Sequence, residues 1–126
     1  MKKVLVVDDS ETIRQHVGEA LTGAGFQVVE ASDGAAGLAR VAQYDFSLII
    51  LDVNMPLLNG LEMLERLKQD PKTATIPVLM LTTEAQRSMI ERARQNGAKA
   101  WLIKPVKVES LISTVNKVLK QEESRS

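Results

Sequence analysis

Val4-Leu5-Val6-Val7-Asp8-Asp9-Ser10 is the stretch on which the fold turns: four apolar residues in a row, then two acids and a hydroxyl. Such a run lacks the alternation of a half-solvated strand and suits a strand buried on both faces. The pattern returns at residues 48–51 before Asp52, at 78–81 before Thr82, and at 101–103 before Lys104. Residues 26–31 are interrupted by Gln27 and Glu30, which predicts a strand near a sheet edge. Five strands result.

Helical periods fill the spaces between them. Ile13, Val17 and Leu21 recur at four-residue spacing, and Val108, Leu111, Ile112, Val115, Val118 and Leu119 form one apolar stripe. Residues 34–43, 61–69 and 84–96 supply three further helices, with Gly25 and Gly97 placed for left-handed helix ends. Five helices alternating with five strands argue for an α/β doubly wound parallel sheet, because right-handed crossovers lay helices on both faces. Residues 70–76 form the long connection before a strand, flanked by Pro71 and Pro77, and the polar end, 120–126, reads as a frayed tail.

The 126 residues match one domain, and 44% hydrophobic with 25% charged residues is the balance of a soluble globular chain. Aromatics are only 3%, so the core must be aliphatic; Met55, Met63, Met80 and Met89 read as core fillers. Sixteen basic and sixteen acidic residues cancel, which removes the positive field that direct nucleic-acid binding needs. The absence of cysteine excludes disulfides, thiolate metal sites and cysteine nucleophiles, and fits a reducing, cytoplasmic setting. Neither a signal peptide nor a membrane-spanning run is expected, since the apolar stretch after Met1-Lys2-Lys3 is only four residues long.

Ligands of open α/β sheets bind beyond the carboxyl ends of the strands. Asp8, Asp9, Asp52, Thr82 and Lys104 therefore form one set. Three carboxylates brought together repel, and an oxygen-seeking divalent cation such as Mg²⁺ or Mn²⁺ would relieve the repulsion. A lysine and a hydroxyl beside them add the charge and the donor that a phosphoryl group needs. Singly, each residue has a plainer reading: Asp9 or Ser10 as a helix N-cap, Asp52 as the opening of the turn Asn54-Met55-Pro56, Thr82 as a strand end, Lys104 as a solvated lysine. Four of five strands ending in complementary chemistry favours the joint reading.

The stretches Val6-Val7-Asp8-Asp9-Ser10, Leu51-Asp52-Val53-Asn54-Met55-Pro56, Asn59-Gly60, Leu81-Thr82-Thr83-Glu84, Gly97-Ala98 and Lys104-Pro105, in this order, resemble the receiver domains of two-component response regulators, specifically the stand-alone CheY-like members. The resemblance runs from Lys3 to about Leu119. It implies a flavodoxin-like sheet of order 2-1-3-4-5, Asp52 as phosphoacceptor, Asp9 and Asp52 as direct metal ligands with the Asn54 backbone carbonyl, and Asp8 acting through metal-bound water. It further implies that Lys104 and Thr82 contact the phosphoryl oxygens, that Lys104-Pro105 is cis, and that Thr82 and Trp101 move together as a switch. Asn54, Thr83 and Glu84 would modulate rates. The indole of Trp101 is larger than the tyrosine or phenylalanine usual there, and Val106 replaces a frequent phenylalanine.

By the same resemblance the phosphodonor is a sensor histidine kinase or a phosphotransfer protein. A downstream target protein would dock on the face of the fourth helix, fifth strand and fifth helix, where Met89, Arg92, Arg94, Gln95, Lys99, Trp101 and Lys107 are expected, and the chain would act as a monomer or weak dimer; the alternative is an intermediate of a phosphorelay. His16 lies mid-helix on the surface and has no part in a relay. An aspartate-nucleophile phosphatase is the rival reading, but it calls for a second acid two residues after the first, where Asn54 stands. A flavin or nucleotide carrier would need a glycine- or hydroxyl-rich loop after the first strand, where Asp8-Asp9-Ser10-Glu11 is acidic.

Overall fold

The structure is a computed structural model that describes residues 1–124. Strands β1 (Lys3–Val7), β2 (Gln27–Ala31), β3 (Leu48–Leu51), β4 (Val78–Thr82) and β5 (Ala100–Ile103) alternate with helices α1 (Glu11–Gly23), α2 (Gly34–Gln43), α3 (Gly60–Gln69), α4 (Arg87–Gln95) and α5 (Val108–Glu123). All the strand pairings are parallel, in the order β2-β1-β3-β4-β5.

The apolar runs have their physical counterpart in a core on each face of the sheet. Leu5, Val7, Ile49, Leu51, Val78 and Met80 point into one, with Met63, Leu64 and Leu67 of α3 and Ala93 of α4. Val4, Val6, Leu48, Ile50, Leu79 and Leu81 point into the other, with Val17 and Leu21 of α1 and Leu111, Val115, Val118 and Leu119 of α5. Successive strand residues face opposite ways, so a central strand between two helical layers has to be apolar throughout. Each buried Leu or Ile contributes roughly 1.5–3 kcal/mol, which pins the register. Met63 and Met80 are fully buried, Met55 is buried and Met89 packs against the same cluster, as expected of fillers.

Three expectations need correction. The fifth strand is not fully buried: β5 is an edge, with Trp101 half-buried against one core, Ala100 and Leu102 half-buried against the other, and Ile103 exposed. Helix α4 begins at Arg87, three residues after Glu84, because residues 84–86 serve the preceding loop, in which the Glu84 N–H donates to Thr82 Oγ1 (3.3 Å) and the Glu84 carbonyl accepts from Trp101 Nε1 (2.9 Å). The polar end does not fray from residue 120, since α5 continues through Glu123, where Glu122 pairs with Lys99 (3.4 Å) and Glu123 with Lys2. Residues 125 and 126 of that expected tail lie outside the described residues. Gly25 and Gly97 do have positive φ (95° and 88°) just past α1 and α4, the left-handed ends that the sequence predicts.

Candidate functional site

The sheet delivers Asp8 and Asp52 side by side. Val7 and Leu51 are register partners in neighbouring strands, and each acid is the next residue. Both stay tied to the sheet: the Asp8 N–H donates to the Ala31 carbonyl (3.1 Å) and the Asp52 N–H to the Val7 carbonyl (3.0 Å). Thr82 is the last residue of β4, and the Lys104 N–H donates to its carbonyl (2.9 Å), so the lysine leaves β5 next to it.

Lys104 Nζ donates to Asp8 Oδ2 at 2.6 Å and to Asp52 Oδ2 at 3.1 Å. These charge-assisted bonds lie between side chains almost out of solvent, with Asp8 2% and Asp52 4% exposed. The other carboxylate oxygens are held by the local chain: Asp8 Oδ1 accepts from the Ser10 N–H (2.9 Å) and Asp52 Oδ1 from the Asn54 N–H (3.2 Å). Ser10, not Asp9, caps α1, its hydroxyl accepting from the Ile13 N–H. The exposed Asp9 instead lies with the other two acids, carboxylate oxygens of all three falling within 4.8 Å of one another.

Burial raises the Asp8 carboxyl above its ordinary 3.8 and the nearby Asp52 charge adds to this, against the lowering effect of Lys104 and the Ser10 amide. Burial would also depress the Lys104 ammonium, but the hydrogen bond to Asp8 and the charges of both acids outweigh it and hold the lysine above its ordinary 10.5. Three carboxylates against one ammonium leave a formal charge of two negatives, and every ligand atom the acids offer is oxygen. That is the donor set a hard divalent cation takes, and the site fits one.

The folded state holds the Asp8 proton to higher pH than the unfolded chain does. The resulting penalty is absent below 3.8 and grows as pH rises to the folded value. Asp8→Asn should therefore raise the urea midpoint at neutral pH and weaken the further gain that Mg²⁺ gives the wild type. Urea melts with and without Mg²⁺ check both, and a lower midpoint in the variant would contradict the burial penalty.

Around this centre, Thr82 is fully buried. The three rate-modulating candidates meet each other: Asn54 Nδ2 donates to Glu84 Oε1 (3.1 Å) and to Thr83 Oγ1 (3.4 Å). Trp101 is half-buried against the core, its indole bonded to the Glu84 carbonyl, so Glu84 joins Asn54 at the site to Trp101 on the edge strand. The Lys104-Pro105 peptide is cis, as the resemblance implies. His16 is exposed on α1, outside the cluster.

The expected docking face needs correction. Arg94, Lys99 and Trp101 border a shallow cleft between α4 and β5, together with Ile90 and Ala98. Met89 and Arg92 face the other way: Arg92 pairs with Glu65 of α3 (2.8 Å from Nε), and both line a cleft with Val53, Met55 and Leu61. Packing of α4 on α3 puts these two residues on the side of the helix turned to α3. Gln95 and Lys107 are exposed, Lys107 as the N-cap of α5.

Two supporting roles escaped the sequence reading. Arg14, one turn into α1, donates from Nη1 to the Asp8 carbonyl (2.6 Å) and pairs with Glu30 (3.3 Å), clamping the ends of β1 and β2. Its place one turn from the acids was the available signal. Gly60 abuts the Asp52 peptide, a closeness that only the packing reveals.

Residues 4–116 match the response regulator receiver domain family. The chain belongs to that family. This receiver domain is 36% identical over 119 residues to Protein PilH of Pseudomonas aeruginosa, covering 94% of this chain and 98% of that one. It is 34% identical over 120 residues to the chemotaxis protein CheY-3 of Vibrio cholerae, covering 94% and 92%. Among solved structures it is similar to CheY4 of Vibrio cholerae (41% identity, TM-score 0.89, 94% and 98% covered). A CheY-like receiver domain from Methanospirillum hungatei superposes with a TM-score of 0.95 at 26% identity, covering 100% and 99%. Receiver domains of this kind are regulatory modules of two-component signalling and not classical enzymes. Among the described residues no helix is long and apolar enough to cross a membrane.

Proposed function

We propose that this receiver domain is a phosphorylation-activated response regulator of the chemotaxis type. It would take a phosphoryl group on Asp52 from a phosphohistidine of a sensor kinase or phosphotransfer protein, and signal through altered binding of a target protein. The observation that carries the reading is the Lys104 ammonium bridging Asp8 and Asp52 inside the three-acid cluster. The chemotaxis protein among its relatives supports the pathway class.

In the proposed step a carboxylate oxygen of Asp52 forms the P–O bond as the P–N bond to the donor imidazole breaks. The leaving nitrogen keeps the electron pair and takes up a proton. Asp9 and Asp52 would hold Mg²⁺ with the Asn54 carbonyl, and Asp8 would act through its water. When bound, the ion offsets the charge of carboxylates and phosphoryl oxygens. Lys104, already 3.1 Å from Asp52, would turn to the phosphoryl oxygens. The Thr82 oxygen accepts from Glu84, which leaves its O–H to donate to the same group. Drawing Thr82 inward would disturb the loop that holds Trp101, carrying the change toward the cleft of Ile90, Arg94 and Lys99.

Incubation with Mg²⁺ and a small phosphodonor is expected to give one labile phosphoryl adduct by intact mass, absent in Asp52→Asn. No adduct on the wild type would overturn the reading, and rapid multiple turnover of the donor would favour the phosphatase. Removing the side chain in Asn54→Ala or Glu84→Ala breaks the contact across the site mouth. Each is expected to change the decay of the adduct severalfold while leaving its maximal extent intact; equal lifetimes would contradict the rate-modulating role.

A further inference from the structure

Leu57 is out of place by two measures. It is 96% exposed, more than any other large apolar residue described, and its φ of 69° makes it the one described non-glycine residue in the left-handed region. The Leu58 N–H donates to the Pro56 carbonyl (2.9 Å), closing a three-residue turn with Leu57 at its tip. A turn of that kind with positive φ is rare and strained, and strain at a non-glycine residue costs about 1–3 kcal/mol. Asn or Gly would relieve it. Nothing among the described residues repays the leucine, because its side chain is open to solvent.

The turn stands in the loop between Asp52 and α3. Asp52 is 4% exposed, so a macromolecular donor can reach its carboxylate only by pressing on the loops around it. Pro56, Ala85 and Pro105, in the loops that follow β3, β4 and β5, are also exposed and uncharged. We propose that Leu57 is an apolar anchor for the protein that delivers the phosphoryl group, set into a hydrophobic recess beside that partner's phosphohistidine. The inference rests on the phosphoacceptor reading and adds the residue by which a protein donor is gripped.

A leucine buried at such a contact is worth about tenfold or more in transfer efficiency. The test compares two donors that both carry phosphorus on nitrogen: phosphoramidate, and the phosphorylated histidine-bearing domain of a chemotaxis-type kinase. Leu57→Asn should raise the urea midpoint, keep the wild-type rate with phosphoramidate, and lose about tenfold or more with the protein donor. Leu57→Met, which keeps the apolar bulk, should retain most of the latter. Equal loss with both donors would mean a disturbed site, and an undiminished rate with the protein donor would mean no grip; either overturns the anchor alone. A wild type that accepts phosphate from phosphoramidate but not from the protein also overturns it. Failure of the wild type with both donors overturns the phosphoacceptor reading itself.

Discussion

Lys104→Met is expected to lose about 3 kcal/mol of folding stability at neutral pH without divalent cation, the lower end of what removing one partner from a buried ion cluster costs. The side chains of Asp8 and Asp52 are 3% and 5% exposed, and both take a hydrogen bond from the same ammonium. Methionine fills the volume of the stem but leaves two carboxylates without their counter-charge. Asp8, already raised by burial, would rise further, so the folded variant would hold protons that the unfolded chain releases. Its stability should accordingly recover as pH falls through that raised value, fully so below the ordinary 3.8. Mg²⁺ should restore part of it at neutral pH by replacing the missing positive charge. In the wild type the lysine acts with the opposite sense: raised in the folded state, its contribution is complete below 10.5 and fades as pH climbs through the folded value. Urea melts across pH, with and without Mg²⁺, check the set. A loss below about 1 kcal/mol would put the cluster on the footing of a surface pair.

Gly60→Ala is the second large effect, expected to cost roughly 3 kcal/mol or more, at or beyond the upper end of overpacking. A Cβ at this position would lie 2.0 Å from the Asp52 carbonyl oxygen, 2.8 Å from its carbonyl carbon and 2.9 Å from Val53 Cα. These are backbone atoms and cannot swing aside as a side chain would. The Gly60 N–H also donates to the Val53 carbonyl (3.0 Å), so α3 starts directly against the strand end that carries Asp52. Any fraction that folds should have the Asp52 peptide displaced and take up phosphate slowly. Gly23→Ala is the control: apart from its own helix backbone and chain neighbours, nothing among the described residues lies within 4 Å of a Cβ added there, and alanine in the last turn of α1 should gain about 0.5–1 kcal/mol. Thermal or urea midpoints for the two variants, together with phosphoramidate uptake, distinguish a steric effect at Gly60 from a general intolerance of alanine.

Much of this was legible in residue order. The two-faced apolar runs of β1, β3 and β4 announce buried parallel strands, and the residue after or at each run's end supplies the chemistry. The weaker pattern of β2 correctly marks an edge. The run at 101–103 misled in degree, because three apolar residues look alike whether a strand lies inside the sheet or, like β5, at its edge, where Trp101 and Leu102 meet opposite cores and stay half-buried. Arg92 and Met89 misled for a related reason. Which face of α4 meets α3 is settled by packing, with Ala93 buried and Arg92 paired to Glu65, and no periodicity encodes that choice.

The alternating α/β pattern, the aliphatic core and the membership of Asp8, Asp9, Asp52, Thr82 and Lys104 in one set all follow from the sequence, because burial and strand-end placement are local consequences of side-chain type. The tertiary fold decided which of those five share a proton-bearing contact, how tightly Gly60 presses on the Asp52 peptide, and that Leu57 is turned outward under strain. Those features depend on distances between residues as much as 96 positions apart, and such distances are set only once the sheet has closed its register and the helices have docked.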